Sequence, residues 1–569
     1  MIKKSKEISI KQLNKKVIVY GWVQKIRNLG EIIFFDLRSE FDILQIVIKK
    51  QKQKDLYDLA ASLTIESVVK VVGTLEKRVS VNLKIKNGDL EINAQELEII
   101  NYAKKLPFLI NDLTKTSLEE TRLKFRYLDL RNKKLQDNLK FKSKVVFLIY
   151  QFMAKNNFIN ITTPILNRFT PEGAKDFLVI NDLKENNYFA LPQSPQLFKQ
   201  LLMISGFPRY FQIANCFRDE NLRANRQPEF LQLDLETSFV DSQDIIKLII
   251  RLIKFLCKNL KLASYKIKAI TYANAIKNYG IDHPDTRFEY LLKNLNRVFV
   301  KSNKNFVYKG ILVPFLLKNK EIEKLKLIAS QNKLNEIYFL KIINQKIINL
   351  DQKLKVKKNF FLKLQEIFKI ENQIQYTLII GCNNFEIVSQ GLGYVRHKLI
   401  KIKNLKPNLD FEFLWIKNWP LFKKDDDNKI TYHHHPFTSP DKNATLFLLN
   451  NEIKNLTWTK LKKLNSNAYD LVLNGQEIGS GSIRINNKKL QLKILKILGL
   501  SQKEIENNFS WFLDAFEYGV PIHGGIALGL ERLIMSLKNI ESIKDVVAFP
   551  KNNKKHDLLA KSPITIKVK

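Results

Sequence analysis

The chain has 569 residues, 45% hydrophobic and 27% charged, which excludes a disordered polymer and exceeds what one core organises, so two or more domains are expected. Lysine and arginine total 95 against 56 acids, a formal net charge of +39. That balance favours a polyanionic partner, nucleic acid first, although a chain this rich in Lys, Asn and Ile together would carry much solvated lysine whatever it binds.

Three cysteines, Cys216, Cys257 and Cys382, lack CxxC spacing, so neither a disulfide framework nor a cysteine zinc site is expected. The basic start MIKKSKEISIKQLNKK has no apolar signal core, and no uninterrupted apolar run spans a bilayer. A soluble, cytoplasmic protein without membrane partners follows as the expectation.

From Lys16 to about Ile100, β-branched and aromatic runs alternate in the order VIVYGWVQ, EIIFFDLRS, DILQIVIKK, a helical KDLYDLAASL, SVVKVVGTLEKR and GDLEINAQELEII. Five strands and one helix in that order predict a small closed barrel of the OB type over residues 1–103. Arg27, Phe34 and Gln45, on or beside its first three strands, offer a cation, a stacking ring and an amide for the base edges of single-stranded RNA. Each taken singly is an ordinary strand residue.

A polar stretch over 104–135 reads as a hinge with a charged helix. After it, Lys140 to Asn157 carries Val145, Leu148 and Phe152 at helical spacing, and FINITTPIL turns to strand pattern up to Pro164; this helix and strand are a candidate subunit interface. Motif-rich sequence occupies 136–284 and 411–569, while 285–410 is Lys-, Asn-, Leu- and Ile-rich without polar clusters and reads as an inserted domain.

The densest chemistry lies between Phe189 and Phe239, where Arg218, Asp219, Glu220, Arg226, Gln227 and Glu229 alternate with Phe217, Phe230, Leu231 and Leu233. Buried polar groups are costly unless paired, so a ligand carrying phosphate and carboxylate is expected to complete the set. Arg218 and Glu220 are expected on one face of a strand; alone, such a pair is more often a structural salt bridge. In YDLVLNGQEIGSGSIRI, Asp470 and Glu477 flank a turn at Asn474-Gly475, a pair suited to Mg2+ beside a triphosphate or to a solvated hairpin, and Arg484 is placed to fork a substrate carboxylate. In HGGIALGLERLIMSL, Gly524, Gly525 and Gly529 precede a helix holding Arg532, which predicts either a polyphosphate cradle or close strand packing. Neither GxxxxGK[ST] nor a strand-linked GxGxxG occurs, which excludes a P-loop. His433, His434 and His435 are adjacent and cannot all converge on one ion in an extended segment.

In combination, QSPQLFKQ, FRDENLRANRQPEF, NGQEIGSGSIR and HGGIALGLER resemble the class II aminoacyl-tRNA synthetases, specifically their aspartyl, bacterial-type branch, over nearly the whole chain. The resemblance implies an α+β protein: an N-terminal OB-fold β-barrel and a catalytic antiparallel sheet flanked by helices, with an inserted α/β domain. It implies a homodimer that activates L-aspartate with ATP and Mg2+ and charges tRNA(Asp), without DNA.

By that resemblance Arg218 touches the α-carboxylate and the α-phosphate. Glu220 takes the adenine, Gln227 and Asp219 belong to the nucleotide site, and Arg532 holds the γ-phosphate. The backbone Gly529, Leu530, Glu531, Arg532 forms the ATP-side helix start, and Asp470 and Glu477 hold Mg2+. Lys199 and Arg484, supported by His434, receive the aspartate side chain. Glu172, Ser194, Gln196 and Asp234 hold its amino group. Departures from the family pattern are Ile522 for a proline, Glu531 for Asp and Ser480 for Gly. Leu29 and Gly30 resemble enzymes restricted to aspartate tRNA. The rivals are an asparaginyl enzyme, which would lack the Lys199 and Arg484 pair, and a non-catalytic RNA-binding paralogue, which would have no use for Arg218, Glu477 and Arg532.

Overall fold

The computed structural model describes residues 8, 10–39, 43–83, 85–110, 118–169, 173–182, 187–300, 305–348, 354–369 and 375–565. It divides into two compact units, Met1–Arg122 and Leu123–Lys569.

In the first unit, β1 (Lys16–Asn28), β2 (Ile32–Arg38), β3 (Ile43–Lys49), α1 (Lys54–Ala61), β4 (Val68–Lys77) and β5 (Leu90–Asn101) form a closed barrel in the order β1-β2-β3-β5-β4. Period-two alternation explains it: along β2, Ile33, Phe35 and Leu37 are buried and Phe34, Asp36 and Arg38 turn outward. Closure removes sheet edges, and the inward side chains of all five strands make one core with Tyr57 and Ala60 of α1.

The second unit is built on an eight-stranded sheet among the described residues. Its strands are β6 (Ile159–Asn160), β7 (Arg209–Phe217), β8 (Glu229–Ser238), β9 (Tyr265–Thr271), β10 (Phe411–Lys417), β11 (Ala468–Leu473), β12 (Gln476–Ile483) and β13 (His523–Gly529), in the order β9-β10-β11-β12-β13-β8-β7-β6. The inner strands are antiparallel, as expected, but the outermost pairs β9/β10 and β6/β7 run parallel. Between β9 and β10 in the chain lies a separate five-stranded antiparallel sheet over 293–383 with helices Asn319–Gln331 and Phe385–Ile402.

One face of the large sheet carries Phe211, Leu233, Leu235, Phe413, Tyr469, Leu471, Ile526 and Leu528 into a core with α2 (Lys133–Lys155), α4 (Ser242–Leu260) and α6 (Leu530–Lys538). Because side chains alternate, the residues between them face the other way. There Asp470, Ser480, Ala527, Asp234 and Gln212 stand side by side across five strands. The next rung sets Ser482, Gly525 and Glu236 in line. This second face, flanked by α3 (Gln196–Ile204), is the polar one.

Three local expectations change. The helix expected from Lys140 begins at Lys133, because the Asn132 side chain accepts from Lys134 N at 2.9 Å and caps it. The strand expected through FINITTPIL pairs only at Ile159–Asn160, since Thr163 N donates to the Gln212 side chain (3.1 Å) rather than to a neighbouring strand. The strand expected to carry Arg218 and Glu220 ends at Phe217: Arg218 N donates to Pro228 O (2.8 Å), but proline has no N–H to return the bond. Both side chains therefore sit on a loop beyond the strand end.

Candidate active site

The polar sheet face opens into a cavity of about 440 Å³. Its lining includes Gln196, Lys199, Arg218, Arg484 and Arg532, drawn from the four quoted motifs, and Asp234 from the strand after the second.

At the deep end, Lys199 from α3 donates to Asp234 Oδ1 at 2.6 Å and lies 3.4 Å from Glu236 Oε2. Arg484, just past β12, forks onto Glu236 through Nε (2.8 Å) and Nη2 (3.0 Å), while its Nη1 reaches Ser482 Oγ at 2.7 Å and His435 Nε2 at 2.5 Å. All four charged groups are buried. Burial disfavours each charge, but the Arg484 and Lys199 cations outweigh it at Glu236 and hold that carboxyl below its ordinary range. At Asp234 burial wins and the pKa rises. Its Oδ2 has no hydrogen-bond partner, nor has the buried Gln196 Nε2. A ligand ammonium and a ligand acceptor would satisfy these two atoms.

His434 does not touch Arg484; His435 does. The His434 Nδ1 is 3.0 Å from Ser480 Oγ and its ring packs edge-on to Trp419 at 4.6 Å, leaving Nε2 buried without a hydrogen-bond partner. Burial, then His433 and Lys423, push its pKa down to about 3, so it is neutral at pH 7. Glu172 lies outside the described residues. Ser194 lines the cavity.

Toward the open end, Arg218 stacks over Phe230 (5.2 Å to the ring centre), and its Nε is buried without a hydrogen-bond partner. Glu220 pairs with Arg226, and Asp219 with Lys555. Gln227 is buried with its amide spent on Lys551, whose N donates to Oε1 (2.8 Å) and whose carbonyl accepts from Nε2 (3.2 Å). Arg532 donates to Glu477 O at 3.3 Å, and desolvation lowers its pKa.

Gly529 caps α6, and a Cβ there would meet nothing closer than 3.8 Å. Gly525 differs: a Cβ would fall 2.0 Å from Leu235 O and 2.1 Å from Glu236 Oε2. Gly524 and Gly525 lie inside β13, so close strand packing, not a phosphate cradle, accounts for them. The Glu531 side chain is also spent inside, accepting from Lys142 Nζ (2.6 Å) and Leu231 N (3.0 Å), which leaves only its backbone at the helix start.

Asp470 and Glu477 stand on either side of the Asn474-Gly475 turn, whose φ values of 53° and 80° explain the Asn-Gly pair. Burial and the neighbouring Glu477 raise the Asp470 pKa well above its ordinary value, and Oδ1 has no hydrogen-bond partner. Two neighbouring carboxylates, one with a buried oxygen that no hydrogen bond satisfies and the other held only loosely by Arg532 Nη1 at 3.8 Å, fit a hard divalent cation that keeps its waters. Among the described residues no group of three or more His, Cys, Asp or Glu gathers as an all-protein metal cage. The three cysteines are buried thiols, none in a disulfide.

On the barrel, Arg27 lies 5.8 Å from the Phe34 ring and donates to Gln45 Oε1 at 2.9 Å, while Gln45 Nε2 donates to Glu91 at 2.6 Å. The three expected residues form one connected patch.

Residues 118–553 match the family described as tRNA synthetases class II (D, K and N), and residues 17–100 match the OB-fold nucleic acid binding domain. The chain belongs to the class II tRNA synthetases of the D, K and N group. It is 39% identical to the aspartate-tRNA ligase of Mycoplasma capricolum across 98% of this chain and 96% of that protein. It is 40% identical to the protein of Malacoplasma penetrans with the same name (97% and 95%). The aspartate-tRNA(Asp/Asn) ligase of Borreliella afzelii is also 40% identical (99% and 96%). In fold this synthetase is similar to asparaginyl-tRNA synthetase from Pyrococcus horikoshii (TM-score 0.60, 18% identity, 97% and 98% covered). The aspartyl tRNA synthetase from Entamoeba histolytica gives a TM-score of 0.57 at 21% identity (96% and 91% covered).

Sequence reasoning missed Glu236 and His435. Glu236 was findable: in LQLDLETS it repeats two residues after Asp234, hence on the same face. His435 was not, because only the tertiary contact separates it from its two neighbours.

Proposed function

We propose that the chain is an aspartate-tRNA ligase, activating L-aspartate with ATP to aspartyl-adenylate and transferring aspartate to the 3′ end of tRNA(Asp). The observation that carries this reading is the pair of buried cations, Lys199 and Arg484, at the deep end of the cavity. A substrate side chain ending in a carboxylate meets matching donors there. Asparagine would set its NH2 against two cations and leave donors unpaired. Asp234, Gln196 and Ser194 take the substrate ammonium end, with Glu172 assigned by resemblance.

In the activation step an α-carboxylate oxygen of aspartate bonds to the α-phosphorus of ATP while the bond to the bridging oxygen breaks and pyrophosphate leaves. Arg218 sits between the two reacting groups and screens their repulsion; Arg532 holds the γ-phosphate end, and Glu220 and the Gly529–Arg532 backbone hold the nucleotide. Asp470 and Glu477 would hold Mg2+, which supplies charge neutralisation on the phosphates. No acid or base is required, only positioning and fixed charge. A terminal tRNA hydroxyl then attacks the acyl carbon and AMP departs.

Phe34 and Arg27 read the anticodon by stacking and charge, while Gln45, buried with its amide spent on Arg27 and Glu91, positions Arg27 rather than meeting a base as expected. The hinge over 104–135 links the two tasks along the chain, and the inserted domain over 285–410 interrupts the catalytic unit between β9 and β10. Exposed Phe147, Ile159 and Ile165 on and after α2 support a homodimer through this edge. Among the described residues no helix is long and apolar enough to cross a membrane.

Aspartate-dependent ATP–pyrophosphate exchange tests the assignment: exchange with aspartate, none with asparagine, and loss of exchange in Arg484→Leu. Equal exchange with both amino acids overturns it. Charging of purified tRNA(Asp) and tRNA(Asn) then decides tRNA scope; Leu29 and Gly30, at the β1–β2 turn, resemble the enzymes restricted to tRNA(Asp).

A further inference from the structure

The loop 218–228 leaves the sheet with one backbone bond across its neck, Arg218 N to Pro228 O. Yet it carries Arg218, Glu220 and Arg226, whose placement the activation step requires. A second segment, residues 543–557, lies against this loop. Its base is fixed from α2 and the helix Arg126–Asp129: Arg126 donates to the carbonyls of Lys544 (2.7 Å), Val547 (2.9 Å) and Ala548 (2.8 Å), and Asn138 to that of Asp545 (3.2 Å). Ile543 N donates to Ala224 O at 2.8 Å, near the loop tip.

Beyond that base the segment grips both legs of the loop. Lys551 bonds the Gln227 amide through its backbone, and its Nζ lies 3.2 Å from both Glu229 Oε1 and Asp557 Oδ2. Burial opposes its charge, but the two carboxylates prevail and raise its pKa. Lys555 pairs with Asp219 on the outgoing leg. It does so from a left-handed conformation, φ 65°, which lysine rarely adopts. The turn is closed by Asn552, whose N donates to His556 O (2.9 Å) and whose Oδ1 accepts from Lys554 N and His556 N (2.9 Å each).

We infer that residues 543–557 are a strap that sets the ATP-binding loop, with Lys551 and Lys555 as positioning residues for the nucleotide. Gln227 then serves ATP indirectly, as the strap's anchor. The two lysines also neutralise Asp219 and Glu229, carboxylates on the legs of a loop that must accept a polyanion. This inference rests on the ATP reading of the site.

The test is steady-state pyrophosphate exchange by the full chain and by Lys551→Ala, Lys555→Ala and Lys555→Arg, with ATP and aspartate varied separately and Tm recorded. The alanine variants are expected to raise KM for ATP about 3- to 10-fold with KM for aspartate and Tm unchanged, and Lys555→Arg to restore it. Unchanged KM for ATP in both alanine variants overturns the strap while wild-type exchange leaves the activity standing. Parallel rises in both KM values with a lower Tm also overturn it, as a merely structural role. A wild-type chain without aspartate-dependent exchange overturns the underlying activity and the strap with it.

Discussion

The two ends of the cavity treat charge in opposite ways. At the deep end Lys199, Asp234, Glu236 and Arg484 are buried and bonded to one another before any substrate arrives. At the open end Arg218, Glu220, Arg226 and Arg532 are half-buried, sit on a loop or a helix start, and pair loosely or with each other. On the proposed reading the first arrangement selects one side chain. The second, on that reading, yields to water and to a flexible triphosphate. Discrimination needs preorganised, desolvated partners, whereas a polyanion is held by several cations of modest individual strength.

The sharpest way to break this comparison is Glu236→Ala. It strands Arg484 as an unpaired buried charge, a loss of about 3–5 kcal/mol, so a large drop in denaturant midpoint is expected together with loss of aspartate activation. The same reasoning predicts that Arg484→Leu loses stability as well as activity, because Glu236 is left behind. At the open end, Arg532→Ala is expected to slow exchange about 100- to 1000-fold, about 2.7–4 kcal/mol, with the denaturant midpoint little changed, since its partners stay wet. A stability loss there matching Glu236→Ala would erase the distinction.

Phe34→Ala sharpens it from outside the cavity: tRNA binding should weaken by about 1–3 kcal/mol, read as KM for tRNA, while tRNA-free exchange is unaltered. A last effect is that of pH. His434 has a folded pKa of about 3, well below its ordinary value of 6.5. The unfolded chain therefore takes up that proton first. The contribution is complete above pH 6.5 and is lost toward pH 3, at about 1.4 kcal/mol per pH unit. Urea midpoints at pH 7 and pH 5 should differ in that direction, and His434→Asn should flatten the dependence.

Much of the barrel was legible because period-two alternation and strand order suffice to specify a small closed sheet. The cavity's members were legible from their motifs, but their partners were not. Asp234, expected at the substrate's amino group, is bonded to Lys199 and keeps only one oxygen free of hydrogen bonds; Gln227 and Glu531 spend their side chains on the scaffold. Motif spacing tells which residues converge, but a side chain's hydrogen-bond capacity is divided among neighbours that are distant in sequence.

By itself the sequence determined the barrel, the family and the two carboxylate-flanked turn residues, because alternation, turn chemistry and short motifs are local. Only the tertiary structure decided that Arg218 leaves its strand at Pro228, that Glu236 rather than solvent meets Arg484, that His435 rather than His434 touches it, and that residues 543–557 brace the loop. The last three are contacts between residues far apart in the chain, and the burial of charge that selects the first two of them is encoded in no local pattern.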